Sequence, residues 1–280
     1  MSVSSATGGL LAGRVPVPDP PAGIGPLEAA LRAAREEGRK LLVPYLTGGL
    51  GPDWPRVLEA VAAAGADAVE VGIPFSDPVM DGPVIQEAST QALAAGATPP
   101  GVIATLGGVV VGVPLAVMTY YNLVFHLGHR RFARSLADAG VAAAIVPDLP
   151  LDELGEWARA ADDGGVETVL LAAPTTPDDR LARICDRCRG FVYGVGLMGV
   201  TGERAALASS ASLMARRLKA VTDKPVLIGI GVSSAAQAAE VSEDADGVVV
   251  GSALVRRLLE GAGPDGAAAF VAELRRGLDG

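Results

Sequence analysis

Eight short apolar runs recur along the chain with helical stretches between them, and this alternation limits the possible folds more than any other feature. The runs are LLVPYLT (41–47), DAVEVGI (67–73), PLAVMTY (114–120), AAAIVPD (142–148), ETVLLAA (167–173), GFVYGVG (190–196), KPVLIGIG (224–231) and DGVVVG (246–251). Most are apolar at consecutive positions rather than alternate ones. Strands of a parallel sheet covered by helices on both faces read that way. The intervening helices have recognisable ends. Asp53 is placed as an N-cap, Pro55 falls in the first turn, Val57, Leu58 and Val61 share a face, and Gly65 stops the helix. LDELGEWARAADDGG (151–165) reads as one helix on the same plan, and SSAAQAAEV opens with serine caps. Eight strand–helix units predict a single α/β domain, a (β/α)8 TIM barrel over 27–280, preceded by a flexible tail over 1–26. An open doubly wound sheet is the alternative, but GGLGPDW after the first strand lacks the G-x-G-x-x-G spacing of that fold.

The 280 residues suit one barrel, and half of them are hydrophobic with only 4% aromatic. Small and β-branched side chains fit helices packed closely on a parallel sheet. A net charge of −9 argues against nucleic acid or an anionic membrane as the main partner. It leaves a small anionic ligand open, since a few backbone amides hold one phosphate. The first 26 residues lack a basic stretch followed by a long apolar one, and no segment reaches the roughly 18 apolar residues of a membrane helix. A cytoplasmic protein is expected. Cys185 and Cys188, spaced C-x-x-C in a segment read as mid-helix, are expected to be ordinary helix residues, because no second pair or nearby histidine completes a zinc site. His126 and His129 have loop-like surroundings without acidic or cysteine neighbours, so no metal is expected there, and HRRFARS reads as a solvated helix start.

Two carboxylates stand out in AVEVGIPFSDPVMDGP (68–83). Glu70 lies inside an apolar strand and shares its parity with Ala68 and Gly72. If that face points into the barrel, an unpartnered carboxyl has a raised pKa and suits proton transfer near neutral pH. The alternative is a structural acid paired with a buried base from elsewhere in the chain. Asp81 lies in a Gly/Pro loop and is either a turn former or, if the loop closes over a ligand, the second member of an acid–base pair.

The last two strands end in LIGIGVSS (227–234) and VVVGSALV (248–255), each with glycine before a helix start. Such ends let backbone approach a ligand and present free N–H groups to an anion. Tight strand-to-helix turns would use the same glycines. GLMGVTGERAAL (196–207) reads as a loop in which Thr201 offers a hydroxyl and Gly202 an amide, or as a plain connection.

VEVGIPFSDPVMDGPVIQ closely resembles the signature of the tryptophan synthase α subunit family, and MTYYNLVF (118–125), VPDLP (146–150), GVTG (199–202), IGIGVSS and GSALV follow in that family's order. The resemblance spans about residues 40–260. It implies retro-aldol cleavage of indole-3-glycerol phosphate to indole and glyceraldehyde 3-phosphate in tryptophan biosynthesis. It implies Glu70 as the acid–base group and Asp81 as acceptor of the indole N–H. It places Gly202, Gly231, Gly251 and Ser252 on the phosphate, and Tyr45, Tyr120, Tyr193 and Ile230 around the indole, with Tyr193 also positioning Glu70. No cofactor or metal is implied for this half-reaction. Asp148, Pro150 and the loop holding Asp77 would face a β subunit carrying pyridoxal phosphate, in an α2β2 assembly. The chain departs from the pattern at TGGLGPDW, Met80, Gly196 and Leu197. A free-standing lyase, an unrelated phosphate-binding barrel and a non-catalytic barrel that activates a β subunit are the competing readings.

Overall fold

The structure is a computed structural model that describes residues 15–196, 204–229 and 231–280, and only the backbone of 204–209. Each of the eight apolar runs holds one strand: β1 Leu41–Thr47, β2 Val69–Gly72, β3 Leu115–Met118, β4 Ala143–Ile145, β5 Glu167–Ala172, β6 Val192–Val195, β7 Val226–Gly229 and β8 Gly247–Val250. All neighbours pair parallel, in chain order, and β8 returns to β1, so the barrel is closed. The expected (β/α)8 fold is the one observed.

The consecutive apolar pattern follows from this architecture. Leu41, Val43, Ala116, Ile145, Val169, Leu227 and Val249 point inward and form one buried cluster with Met118, Leu171 and Tyr193. The opposite parity, including Leu42, Val69, Val71, Val117, Leu170 and Ile228, packs against the surrounding helices. Fully burying a side chain of this kind contributes about 1.5–3 kcal/mol. Strands with both faces occupied therefore have few positions open to polar residues.

Two glutamates nevertheless lie within strands. Glu167, at the start of β5, is fully buried at the barrel floor. Its carboxylate accepts the Leu27 and Glu28 N–H groups at 2.7 and 3.0 Å, capping the helix Pro26–Glu36 from across the chain. Gly25 is needed there, because a Cβ would lie 2.3 Å from the Glu167 Cδ. Glu167 is thus an acid with a structural use, and Glu70 has no such partners among the described residues.

Several local expectations change. The 151–165 segment is not one helix. A short 3-10 turn, Leu151–Glu153, precedes the helix Gly155–Asp163. Gly155 seats the backbone of residue 15, whose carbonyl oxygen would lie 2.1 Å from an added Cβ. Asp53 occupies the N-cap position but makes no capping hydrogen bond, and its carboxylate lies 3.9 Å from Arg56. Ser234 does cap, accepting the Gln237 N–H at 3.3 Å, and Gly65 ends its helix at φ +111°. Cys185 lies in the last turn of Asp178–Arg187 and Cys188 just beyond it, so the pair is not mid-helix. Both are free, and burial holds their thiols up at about 11 and about 12, against thiolate chemistry at neutral pH. His126 and His129 are helical rather than in loops, and His129 contacts the Tyr121 hydroxyl at 3.1 Å and Glu156 at 3.5 Å.

Candidate active site

A cavity of about 330 Å³ opens at the C-terminal ends of the strands. Seven of the residues expected from the sequence line it: Tyr45, Glu70, Asp81, Tyr193, Gly231, Gly251 and Ser252. Thr201, Gly202 and Ile230 lie outside the described residues. Tyr120 is buried beside the cavity, with its hydroxyl at the Asp81 carboxylate. Its hydroxyl accepts the Met80 N–H at 3.0 Å, and its ring stacks on Phe75 with centroids 5.1 Å apart. Tyr120 therefore braces the loop that carries Asp81.

Glu70 enters from β2, with its Cα paired to Tyr45 on one side and Ala116 on the other. It is 1% exposed, and neither carboxylate oxygen has a hydrogen-bond partner among the described residues. Burial, and secondarily the negative charge of Asp81, push its pKa up to about 8. Asp81 is half-buried, and its backbone is fixed by Asp81 N–H to Pro78 O at 3.0 Å and Gln86 Nε2 to Asp81 O at 2.9 Å. Burial raises its pKa to about 6, with the Tyr120 hydroxyl opposing the rise. At neutral pH the first carboxyl keeps its proton and the second is charged. Two different environments thus give two chemical roles.

Two tyrosines stand over this pair on seats of bare backbone. A Cβ at Gly72 would lie 1.9 Å from the Tyr45 hydroxyl, and one at Gly229 would lie 2.5 Å from the Tyr193 ring. Gly72→Ala is therefore expected to displace the Tyr45 ring and to cost about 1–3 kcal/mol, as overpacking does. Thermal denaturation checks this, with a lowered Tm as the expected result.

Opposite the carboxylates the wall is backbone. Gly231 has φ +78°, which favours glycine, and Gly251 precedes the helix Ser252–Leu259. Gly251 and Ser252 line the cavity where that helix begins, and a helix start of this kind offers amides to an anion. The side walls include Met118, Leu171, Val249 and Ile85, none of which stood out in the sequence. Strand parity points to the first three, since each lies on the inward face of its strand. Among the described residues no group of three or more His, Cys, Asp or Glu is placed to hold a metal ion.

A closed (β/α)8 barrel with two carboxyls of raised pKa in one largely apolar cavity at the C-terminal ends of its strands has the form of a barrel enzyme. The family model for the tryptophan synthase alpha chain matches residues 31–276. The tryptophan synthase alpha chain of Streptomyces coelicolor is 48% identical over 91% of this chain and 97% of its own length. That of Thermobifida fusca is 44% identical over 90% and 97%. Among solved structures, tryptophan synthase from Mycobacterium tuberculosis is 39% identical with a TM-score of 0.85, covering 91% of this chain and 99% of that one. The subunit alpha from Legionella pneumophila is 29% identical with a TM-score of 0.84, over 92% and 99%. The chain belongs to the tryptophan synthase alpha chain family.

Proposed function

We propose that this chain cleaves indole-3-glycerol phosphate to indole and glyceraldehyde 3-phosphate, with Glu70 as the acid–base group and Asp81 as the fixed anion. The observation that carries this reading is the Glu70 carboxyl, buried, unpartnered and held neutral inside the cavity. The bond between indole C3 and the glycerol carbon breaks only if the ring accepts electrons. Glu70 delivers its proton to C3, and positive charge develops at the ring nitrogen. Asp81, charged at neutral pH, accepts the indole N–H and stabilises that charge. The carbinol O–H then loses its proton to the Glu70 carboxylate as the carbon–carbon bond breaks. The C–O pair becomes the aldehyde, and the bonding electrons restore the indole ring. The steps are redox-neutral and move protons only, so the chemistry calls on no cofactor. Gly231, Gly251 and Ser252, with Gly202, take the phosphate, while Thr201 and Ile230 complete the substrate contacts.

The same reading gives the chain a β-subunit partner that carries pyridoxal phosphate, in an α2β2 assembly. Val79, Met80 and Phe125 are exposed on segments that follow β2 and β3, beside Asp77, Asp148 and Pro150. Asp148 ties this rim together by accepting the Tyr121 N–H at 2.9 Å. Large apolar side chains exposed on the segments after β2 and β3 suit a partner that receives indole. No described helix is long and apolar enough to cross a membrane, and a cytoplasmic location goes with this reading.

Turnover of indole-3-glycerol phosphate by the purified chain, with and without a tryptophan synthase β subunit, tests the proposal. Indole release is expected in both cases, faster with the partner by about 5–150-fold, the usual range of coupling between sites. Rapid release that the partner leaves unchanged identifies a free-standing lyase instead. No release under either condition overturns the assignment.

A further inference from the structure

Packing accounts for the ring of Tyr45, while its hydroxyl stands near Thr47 and the two carboxyls of the site. Tyr45 faces Glu70 directly across the β1–β2 ladder. Its ring runs over the next inward position of β2, where Gly72 leaves room for the hydroxyl. The ring also packs with Val84, Ile85 and Val255 in a small buried cluster. Val84 and Ile85 belong to the helix Pro83–Ala94, which starts two residues after Asp81. The hydroxyl therefore stands between the strand of Glu70 and the loop of Asp81. A phenylalanine would fill the same space. Burying a hydroxyl without use costs about 1–3 kcal/mol, and Tyr45 is only 7% exposed. Thr47 is within hydrogen-bonding reach of it, and Asp81, Glu70 and Tyr120 lie within electrostatic reach, with Tyr193 near the same two carboxyls from β6. Both oxygens of Glu70 still lack a donor among the described residues.

We infer that the Tyr45 hydroxyl is a positioning donor shared by the two carboxyl groups and following the negative charge between them. Before cleavage it donates to the Asp81 carboxylate. Once Glu70 has passed its proton to the substrate, the hydroxyl turns to the new Glu70 carboxylate. The inference rests on the roles proposed above for these two acids. A donor that stabilises charge on either member lowers that member's pKa, so its removal raises both.

Tyr45→Phe keeps the ring and tests the hydroxyl alone. In the full-length variant kcat for indole release is expected to fall about tenfold or more, the worth of one hydrogen bond to a charged group. KM should stay within about twofold, since the bond strengthens during reaction rather than in substrate binding. Carboxyl titrations of Glu70 and Asp81, followed by carbon-13 NMR in the ligand-free protein, should both move to higher pH. Unshifted titrations overturn the inference, and so does a kcat equal to that of the parent. The titrations need no turnover. They therefore decide the hydrogen bond even if the unaltered chain releases no indole, a result that overturns the cleavage reading and not this one.

Discussion

Glu70→Gln is expected to cut the rate of indole release by about 10²–10⁴-fold, the contribution of a positioned general acid–base group. Glutamine matches the shape of the neutral carboxyl that Glu70 presents at pH 7, so the cavity wall is preserved. What is lost is the exchangeable proton. Because the amide neither delivers a proton to C3 nor takes one from the carbinol, both halves of the cleavage stop at once. KM should change little. A variant that releases indole at the parent rate would remove Glu70 from the chemistry.

The same substitution has a second, independent signature in stability. The pKa of Glu70 rises from an ordinary value of 4.5 to about 8 on folding. The folded state therefore holds this proton more tightly than the unfolded chain does. Below about 4.5 both states are protonated, and the group does not disfavour folding. Between 4.5 and 8 the unfolded chain ionises while the folded one does not, so stability falls as pH rises, by up to about 1.4 kcal/mol per pH unit. Glutamine does not titrate and removes this slope. Denaturation of the parent and the variant at a series of pH values should show the variant gaining on the parent from pH 5 to pH 8.

How much of this was readable beforehand follows from the range of the forces involved. The eight strands and the inward face of Glu70 were legible because they depend on local periodicity, which survives in sequence. The inward positions of Met118 and Leu171 follow the same parity, two residues beyond Ala116 and Val169. The use of Glu167 was not legible, because its partners are backbone amides 139 and 140 residues away. The need for glycine at 155 likewise depends on the backbone of residue 15, which no local pattern contains. Tyr120 was expected to line the cavity. Its contacts with Met80, 40 residues earlier, and with Asp81 add a bracing of the Asp81 loop that the sequence did not show. The division of labour between the two acids came from the resemblance and not from periodicity, because their different protonation needs tertiary burial.

Asp81→Asn is expected to lower kcat/KM by about 10²–10³-fold at pH 7, the usual loss when one preorganised electrostatic contact to a developing charge is removed. The pH dependence separates this from a mere loss of binding. In the parent, activity should rise through about pH 6 as Asp81 ionises and fall through about pH 8 as Glu70 loses its proton. The two groups interact, so these limbs belong to the pair rather than to either acid alone. Asparagine abolishes the rising limb, because nothing at that position titrates. It also removes the negative charge that is the second cause of the raised Glu70 pKa, while burial remains. The falling limb should therefore shift to lower pH and still lie above the ordinary carboxylate range. If Asp81 served structure alone, the falling limb would still shift, but any rising limb seen in the parent would persist in the variant. A rising limb that persists near pH 6 in the variant would assign that ionisation to another group, and the electrostatic role proposed for Asp81 would fall with it.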